Sequence, residues 1–192
     1  KRARILDSTS KIMMEQGIAA VSLSKIAKDA GIASGTVYTY FKDKDDLLRG
    51  VYYDRKKRVA EAINSIDLNG DPVEQLTHFM DLVYDYGQNH LEDMLLIREF
   101  NQSPLLSQLN IDVKVAYAGF EPLLALSKKG IQEQKFVPDA DTVLMSYAYT
   151  PVIEYLLAVR NGALDSKNVP FANVKALSLR AIVKWNFIWA RS

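Results

Sequence analysis

Apolar positions along the chain recur at helical rather than strand spacing. Ile5, Leu6, Thr9, Ile12 and Met13 fall on one stripe at i, i+1, i+4, i+7 and i+8, and Gly17 closes that first helix. Ser22 is placed to cap a second, short helix running through Ala30. Gly31 interrupts, and a third short helix is expected from about Ser34 to Tyr40. Asp43 caps a long fourth helix that reaches about Asn64. The stretch IDLNGDP holds turn chemistry at Asn69-Gly70 and Asp71-Pro72, and Pro72 suits a first helical turn. Val73, Leu76, Met80 and Val83 predict a fifth helix with a one-sided apolar face. A sixth covers roughly residues 91–101 and stops before Ser103-Pro104. Val113, Ala116, Tyr117, Phe120 and Leu124 mark a seventh, bent at Pro122. Residues 140–160 predict an eighth, ended by Asn161-Gly162, and a ninth starts near Pro170 and runs toward Trp189. No strand-like alternation is bounded by turn signals, and there is neither an internal repeat nor a low-complexity segment. The pattern is all-α.

Residues 23–41, LSKIAKDAGIASGTVYTYF, carry the most specific signal. Two short helices that cross steeply across a tight turn need a small residue at the close approach, and Ala27 supplies it. The turn needs a residue tolerant of positive φ, and Gly31 stands four positions later. Apolar side chains must fill the crossing: Ile26 and Ala30 before the turn, Ile32 in it, Val37 and Phe41 after it. These are the requirements of a helix-turn-helix. The outward face of its second helix carries Ser34, Gly35, Thr36, Tyr38 and Tyr40, small or hydrogen-bonding and none acidic. Small residues let the backbone approach DNA, and free N–H groups at a helix start attract phosphate. Thr and Tyr hydroxyls bond phosphates, and a Thr methyl touches a thymine methyl. Lys42 and Lys44 follow, where they neutralise backbone charge. The alternative is a solvated helix face with two aromatics packed on neighbours; one tyrosine, Tyr38 or Tyr40, is also a candidate to serve packing in part.

Residues 5–50, and the run IAKDAGIASGTVYTYFKDKDDLL above all, closely resemble the DNA-binding region of the TetR family of transcriptional repressors. The resemblance implies a recognition helix in the major groove, with Thr36, Tyr38, Tyr40 and Lys44 at its contact positions. It implies that Ser22 and Ser24 meet phosphates, and that Lys1, Arg2 and Arg4 form a basic N-terminal arm. One departure is Ala33, where the family often has a capping Ser or Thr; Ser34 is the candidate to take over that cap. The expected architecture is an N-terminal three-helix helix-turn-helix domain, residues 1–50, joined by the long fourth helix to a larger helical effector-binding and dimerisation domain, residues 51–192. The boundary falls within that helix because no flexible linker separates the parts.

A regulator of this kind reads two half-sites with two copies, about 34–36 Å or a multiple apart. In the ninth helix Val174, Leu177, Ala181, Ile182, Trp185, Ile188 and Trp189 form one stripe, while Phe171, Leu179, Val183 and Phe187 add another side. A helix apolar on more than one face must be covered on both, inside the subunit or by a partner. The resemblance favours the partner, with the last two long helices packing against their mates in a four-helix bundle. Leu157, Val174, Leu177, Ala181 and Trp185 are the expected homodimer contacts. Helices five to eight are rich in aromatics, and pockets for small molecules are mainly apolar with a few placed polar groups. Phe79, Phe100, Tyr117, Phe120, Tyr147 and Glu154 are the candidate lining of a pocket for an effector of unknown class. The same stripe is equally compatible with plain core. Glu154 orients a ligand, pairs with a cation across the dimer, or reaches solvent. Pro122 and Pro151 either bend helices to open a cavity or are inert kinks.

Composition narrows the alternatives. The net charge of +1 conceals 13 Lys/Arg against 8 Asp/Glu in residues 1–64, and the reverse bias beyond. A basic front end suits a polyanion. The chain has no cysteine and two histidines, His78 and His90, so no thiol nucleophile, disulfide, HExxH site or other metal centre is expected. No Gly-rich phosphate loop occurs. Asp45-Asp46 and Glu92-Asp93 are neighbours in sequence, which do not share a helix face, and they read better as helix N-terminal charges. Neither an enzyme nor a bound cofactor is expected. No apolar run approaches a membrane span, and KRARILDSTSK lacks the apolar stretch of a signal peptide. The expected protein is a cytoplasmic repressor that binds a palindromic operator in double-stranded DNA as a homodimer, and is released by a small molecule. A module that binds DNA without an effector is the competing reading.

Overall fold

The helices begin and end where short-range chemistry puts them. The structure, a computed structural model, describes residues 1–112, 114–115 and 119–184, and at 142, 143 and 145 the backbone alone. Helix α1 spans Arg2–Gln16, and its stripe Ile5, Leu6, Thr9, Ile12 and Met13 is buried throughout. A single 3-10 turn, Ile18–Ala20, follows. Helix α2 is Leu23–Asp29 and α3 is Ser34–Tyr40. Helix α4 is Lys44–Ile63, and Asp43 caps it by accepting the Asp46 N–H at 2.8 Å. In return Asp46 accepts the Lys42 N–H at 2.9 Å, so two otherwise orphaned donors are satisfied.

The chain forms two compact units, one of residues 1–59 and 92–118, the other of residues 60–91 and 119–192. The expected fifth and sixth helices are one helix, α5, Pro72–Gln102, interrupted at His90 by a single non-helical residue (φ −135°, ψ 31°). The division between the units falls just after that kink. In the first unit Ile5, Leu6, Ile26, Val37, Leu47, Tyr52, Met94 and Phe100 make up the core, together with the short helix α6, Leu105–Gln108.

The second unit contains α7, Glu121–Gln132; α8, Ala140–Leu144; a π-helical segment, Met145–Tyr149; α9, Thr150–Arg160; and α10, Phe171–Ile182. Leu76, Phe79, Met80, Leu126, Phe136, Leu144, Val152 and Ile182 are buried there. Two expectations are corrected. Pro122 does not bend a helix: Gly119 holds φ +89°, and Pro122 lies in the first turn of α7, where its missing N–H costs nothing. Val113, Ala116 and Tyr117, expected in the same helix, lie outside the described residues. The last helix does not run toward Trp189. It stops at Ile182 because Val183 turns extended and pairs with Phe136 in an isolated antiparallel bridge; Val137 N–H donates to the Ile182 carbonyl at 2.8 Å. Trp185, Phe187, Ile188 and Trp189 lie outside the described residues. The expected eighth helix is present, but its middle is the π segment, which ends two residues before Pro151. A proline lacks the N–H for the ladder and crowds the carbonyl four residues back, and widening the preceding turn relieves both.

Candidate nucleic-acid interface

Helix α2 ends in a Schellman motif. Ile32 N–H donates to the Ala27 carbonyl at 3.0 Å, and Gly31 N–H to the Lys28 carbonyl at 3.2 Å. The motif places Gly31 at φ +60°, a conformation that costs a side-chain-bearing residue strain. The reversal brings α2 and α3 together over Ile26 (0% exposed), Ala27 (1%), Val37 (0%) and Phe41 (3%). Ile32 is half-buried.

With Val37 turned inward, the rest of α3 faces water. Ser34, Gly35, Tyr38, Thr39 and Tyr40 are exposed and Thr36 is half-buried. Tyr38 has 61% of its surface exposed and Tyr40 41%, so neither is spent on packing. Thr39, absent from the sequence-based set, shares this surface, but its hydroxyl donates to the Gly35 carbonyl at 3.2 Å. The expectation that Ser34 caps α3 is corrected: Ala33 occupies the cap position without a side-chain bond, and Ser34 is the first helical residue. Ser22 caps α2 by accepting the Lys25 N–H at 3.3 Å, and its hydroxyl lies 3.4 Å from that of Ser24. Both serines are exposed.

The cations divide into committed and available ones. Lys42 is exposed at the end of α3, whereas the half-buried Lys44 donates from Nζ to the Ile18 carbonyl at 3.1 Å, closing the 3-10 turn. Two cations of the expected N-terminal arm, all of it exposed, also make contacts within the protein. Arg4 donates to the Ala30 carbonyl at the end of α2, and the Arg2 guanidinium lies 5.4 Å from the centre of the Phe41 ring. Both arginines thus brace the helix-turn-helix.

Of the candidate effector residues, Phe79 and Phe120 come together. Phe79 and Phe120 lie in the second unit beside a narrow apolar crevice that also borders Ile63 and Leu123 and admits no water. Phe100 belongs to the first unit, its ring 5.1 Å from that of Tyr52, because α5 changes unit after the kink. Tyr147 is 47% exposed and Glu154 is exposed, which removes both from a buried lining; Tyr117 lies outside the described residues. A cleft of about 380 Å³ in the first unit, between Met13, Met14, Leu95 and Leu96, had no sequence signal, since its walls come from α1 and the distant end of α5. Of the expected dimer contacts, Leu177 is 64% exposed and Leu157, Val174 and Ala181 are half-buried; Trp185 lies outside the described residues. Among the described residues no group of three or more His, Asp or Glu is placed to hold a metal, and no helix is long and apolar enough to cross a membrane.

Residues 5–51 match the family described as bacterial regulatory proteins, tetR family. Over 61 residues the chain is 38% identical to the fatty acid metabolism regulator protein of Bacillus subtilis (strain 168), covering 32% of this chain and 31% of that one. Over 81 residues it is 32% identical to the HTH-type transcriptional regulator AcrR of Shigella flexneri, covering 41% and 38%. The chain thus spans only about a third of the length of these relatives, which are named as regulators and not as enzymes. A TetR family transcription regulator from Marinobacter aquaeolei VT8 shares the fold, with a TM-score of 0.84 at 21% identity over 95% of each chain. The sequence match to the tetR family lies on residues 5–51, the helix-turn-helix, while the likeness of fold to a TetR family regulator extends over nearly the whole length.

Proposed function

We propose that this protein is a sequence-specific DNA-binding transcription regulator, a repressor that holds a palindromic operator as a homodimer and lets go when a small molecule binds its larger domain. The observation that carries the reading is the α3 surface. Tyr38 and Tyr40 stand exposed beside Ser34, Gly35 and Thr36 on the second helix of a tightly turned pair. Water-facing aromatics are poor solubilising residues, and here they carry hydroxyls suited to phosphates and base edges. Ser22 and Ser24 supply hydroxyls for flanking phosphates, and Lys42 and Lys44 supply charge. The division of labour runs near residue 50, with residues 1–50 reading DNA and residues 51–192 sensing and dimerising.

Homodimerisation is supported by the exposed Leu177, continuous on α10 with Val174 and Ala181, and by Leu157 on α9. An apolar stripe left at the surface of two successive helices is an interface in search of a copy. Release by an effector follows from population shift: a ligand that binds better to the dimer geometry unsuited to DNA lowers operator affinity by its differential affinity. The Bacillus subtilis relative is named for fatty acid metabolism, which adds to the reading of an apolar effector. The protein acts where its DNA is, in the cytoplasm.

Selection of duplexes from a random pool tests the reading. The expected product is an inverted repeat with half-sites about one helical turn apart, bound by two chains in sedimentation analysis. A pool with no enriched sequence, or an enriched site bound by a single chain, overturns it.

A further inference from the structure

Among the described residues, several hydroxyls removed from solvent find a protein partner. The buried Thr9 and Ser10 and the half-buried Thr77 each donate to the carbonyl four residues back, at 2.7, 3.0 and 2.8 Å. Tyr52 reaches Asn101 Oδ1 and Tyr155 reaches the Val169 carbonyl, both at 2.9 Å. Ser127 and Tyr149 break the pattern: both are buried, at 0% and 8% exposure, and among the described residues neither hydroxyl has a hydrogen-bond partner. Ser127 declines even the carbonyl of Leu123, the partner that its helix offers. A buried donor left unpaired costs stability, and such groups are rare in folded proteins unless they have another use.

Both are tied to α7: Ser127 lies on it, and Tyr149 meets the residue that caps it. Phe120, at the cap of α7, meets the Tyr149 ring edge-on, with centroids 5.3 Å apart and planes at 80°. Positions 120, 123 and 127 follow one face of α7 over two turns, and Phe120 and Leu123 border the crevice closed to water. Tyr149 is the last residue of the π segment, a local widening found mostly at functional sites. Burial pushes its phenol well above the usual tyrosine range, so it remains a neutral donor.

We propose that the hydroxyls of Tyr149 and Ser127 are the polar handles of the effector site, and that the effector is a small, uncharged, apolar molecule with hydrogen-bond-accepting oxygen. The inference rests on the effector-released reading above. Uncharged follows from the surroundings: among the described residues of the second unit, no Asp, Glu, Lys, Arg or His is buried. An ionised ligand would surrender its hydration there without a counter-charge. Since the crevice is too narrow for water, entry displaces α7 from its neighbours, which ties occupancy to the helix arrangement of this unit.

The test uses the full chain with methyl benzoate, ethylbenzene and benzoate, which differ in acceptor and charge at similar size. Without ligand, Tyr149→Phe melts at or above the wild-type temperature, because an unsatisfied group has been removed. Methyl benzoate raises the wild-type melting temperature with dose and binds Tyr149→Phe at least tenfold more weakly, with Ser127→Ala weakened in the same sense. Ethylbenzene does not distinguish the variants, and benzoate binds worst. The inference is overturned if Tyr149→Phe melts lower without ligand, if it binds the ester like wild type, if benzoate is preferred, or if wild type binds none of the three. The melting readout needs no DNA. A protein that binds no duplex therefore tells against the regulator reading alone, and operator release by a charged compound unaffected in Tyr149→Phe tells against this inference alone.

Discussion

Arg55 on α4 donates from Nη2 to Asp7 Oδ1 on α1 at 2.7 Å, although the Arg55 side chain is only 3% exposed. The same guanidinium meets Ser10 Oγ at 3.0 Å, Asp54 at 3.2 Å and Asp93, on the second half of α5, at 3.2 Å. One buried cation therefore joins α1, α4 and the second half of α5. Removing it strips the Asp93 carboxylate, whose side chain is 12% exposed, of its guanidinium partner. Arg55→Met is expected to destabilise the protein by about 3–5 kcal/mol. Asp7→Asn, at a carboxylate 53% exposed to solvent, should cost about 1 kcal/mol or less. Urea titrations followed by circular dichroism separate the two; equal losses would mean that the node is not centred on Arg55.

The exposed α3 side chains are expected to matter for DNA and not for folding. Tyr38→Ala, at a residue 61% exposed, should weaken operator binding by about 1–3 kcal/mol and leave the melting temperature unchanged. Lys42→Ala should weaken all sequences alike and reduce the slope of log K against log salt by about one. Lys44→Ala should do the same and also lower the melting temperature, because its ammonium closes the turn at Ile18. Anisotropy titrations at several salt concentrations, paired with melting curves, check all three.

What could be read from the sequence was what neighbours in sequence decide. The limits of α3, the Asp43 cap and the Gly31 turn depend on residues within five positions, and the structure has them where the pattern puts them. Arg2 and Arg4 were legible as charge but not as braces, since Phe41 and the Ala30 carbonyl are brought to them only by the fold. A break before residue 91 was legible, with Gly87 one turn ahead of the kink at His90, but aromatic spacing along α5 could not show that Phe79 and Phe100 belong to different units. Pro122 misled for another reason. Apolar positions continue at helical spacing on both sides of it, while Gly119 had already broken the chain direction. The end of α10 depends on Phe136, whose backbone offers Val183 a pairing that no local pattern encodes.

That pairing has a tight neighbour. A Cβ added at Gly130 would lie 2.2 Å from Phe136 Cδ2, and Phe136 is fully buried. Gly130→Ala must push the ring out of its site and is expected to cost about 1–3 kcal/mol. Phe136→Leu alone leaves space and is also destabilising. Combined, the two should cost less than their sum, since the smaller side chain makes room for the methyl group. Thermal unfolding of the four proteins in the cycle gives the coupling; strict additivity would mean that the contact is relieved elsewhere.

Acid should loosen the second unit through Asp71. Burial alone would raise its pKa, but the hydrogen bond from Lys135 Nζ at 2.8 Å and the N–H groups of Glu74 and Val73 outweigh that, and the carboxyl is held below its ordinary range. A group with a depressed folded-state pKa contributes stability above its unfolded value, about 3.9, and loses it as pH falls through the folded one. Glu133, held down by its hydrogen bond to the same lysine, adds in the same direction. Lys135 is shifted upward by Asp71 and Glu133, so its contribution is intact throughout this range and fades only in strong base. Asp71→Asn isolates the charge, because an asparagine oxygen still caps the first turn of α5. The variant should melt lower than wild type at pH 7, and the gap should narrow steadily below about pH 4, where the wild-type carboxylate itself becomes protonated. A gap that stays constant down to pH 3 would mean that the loss at pH 7 came from the cap and not from the ion pair.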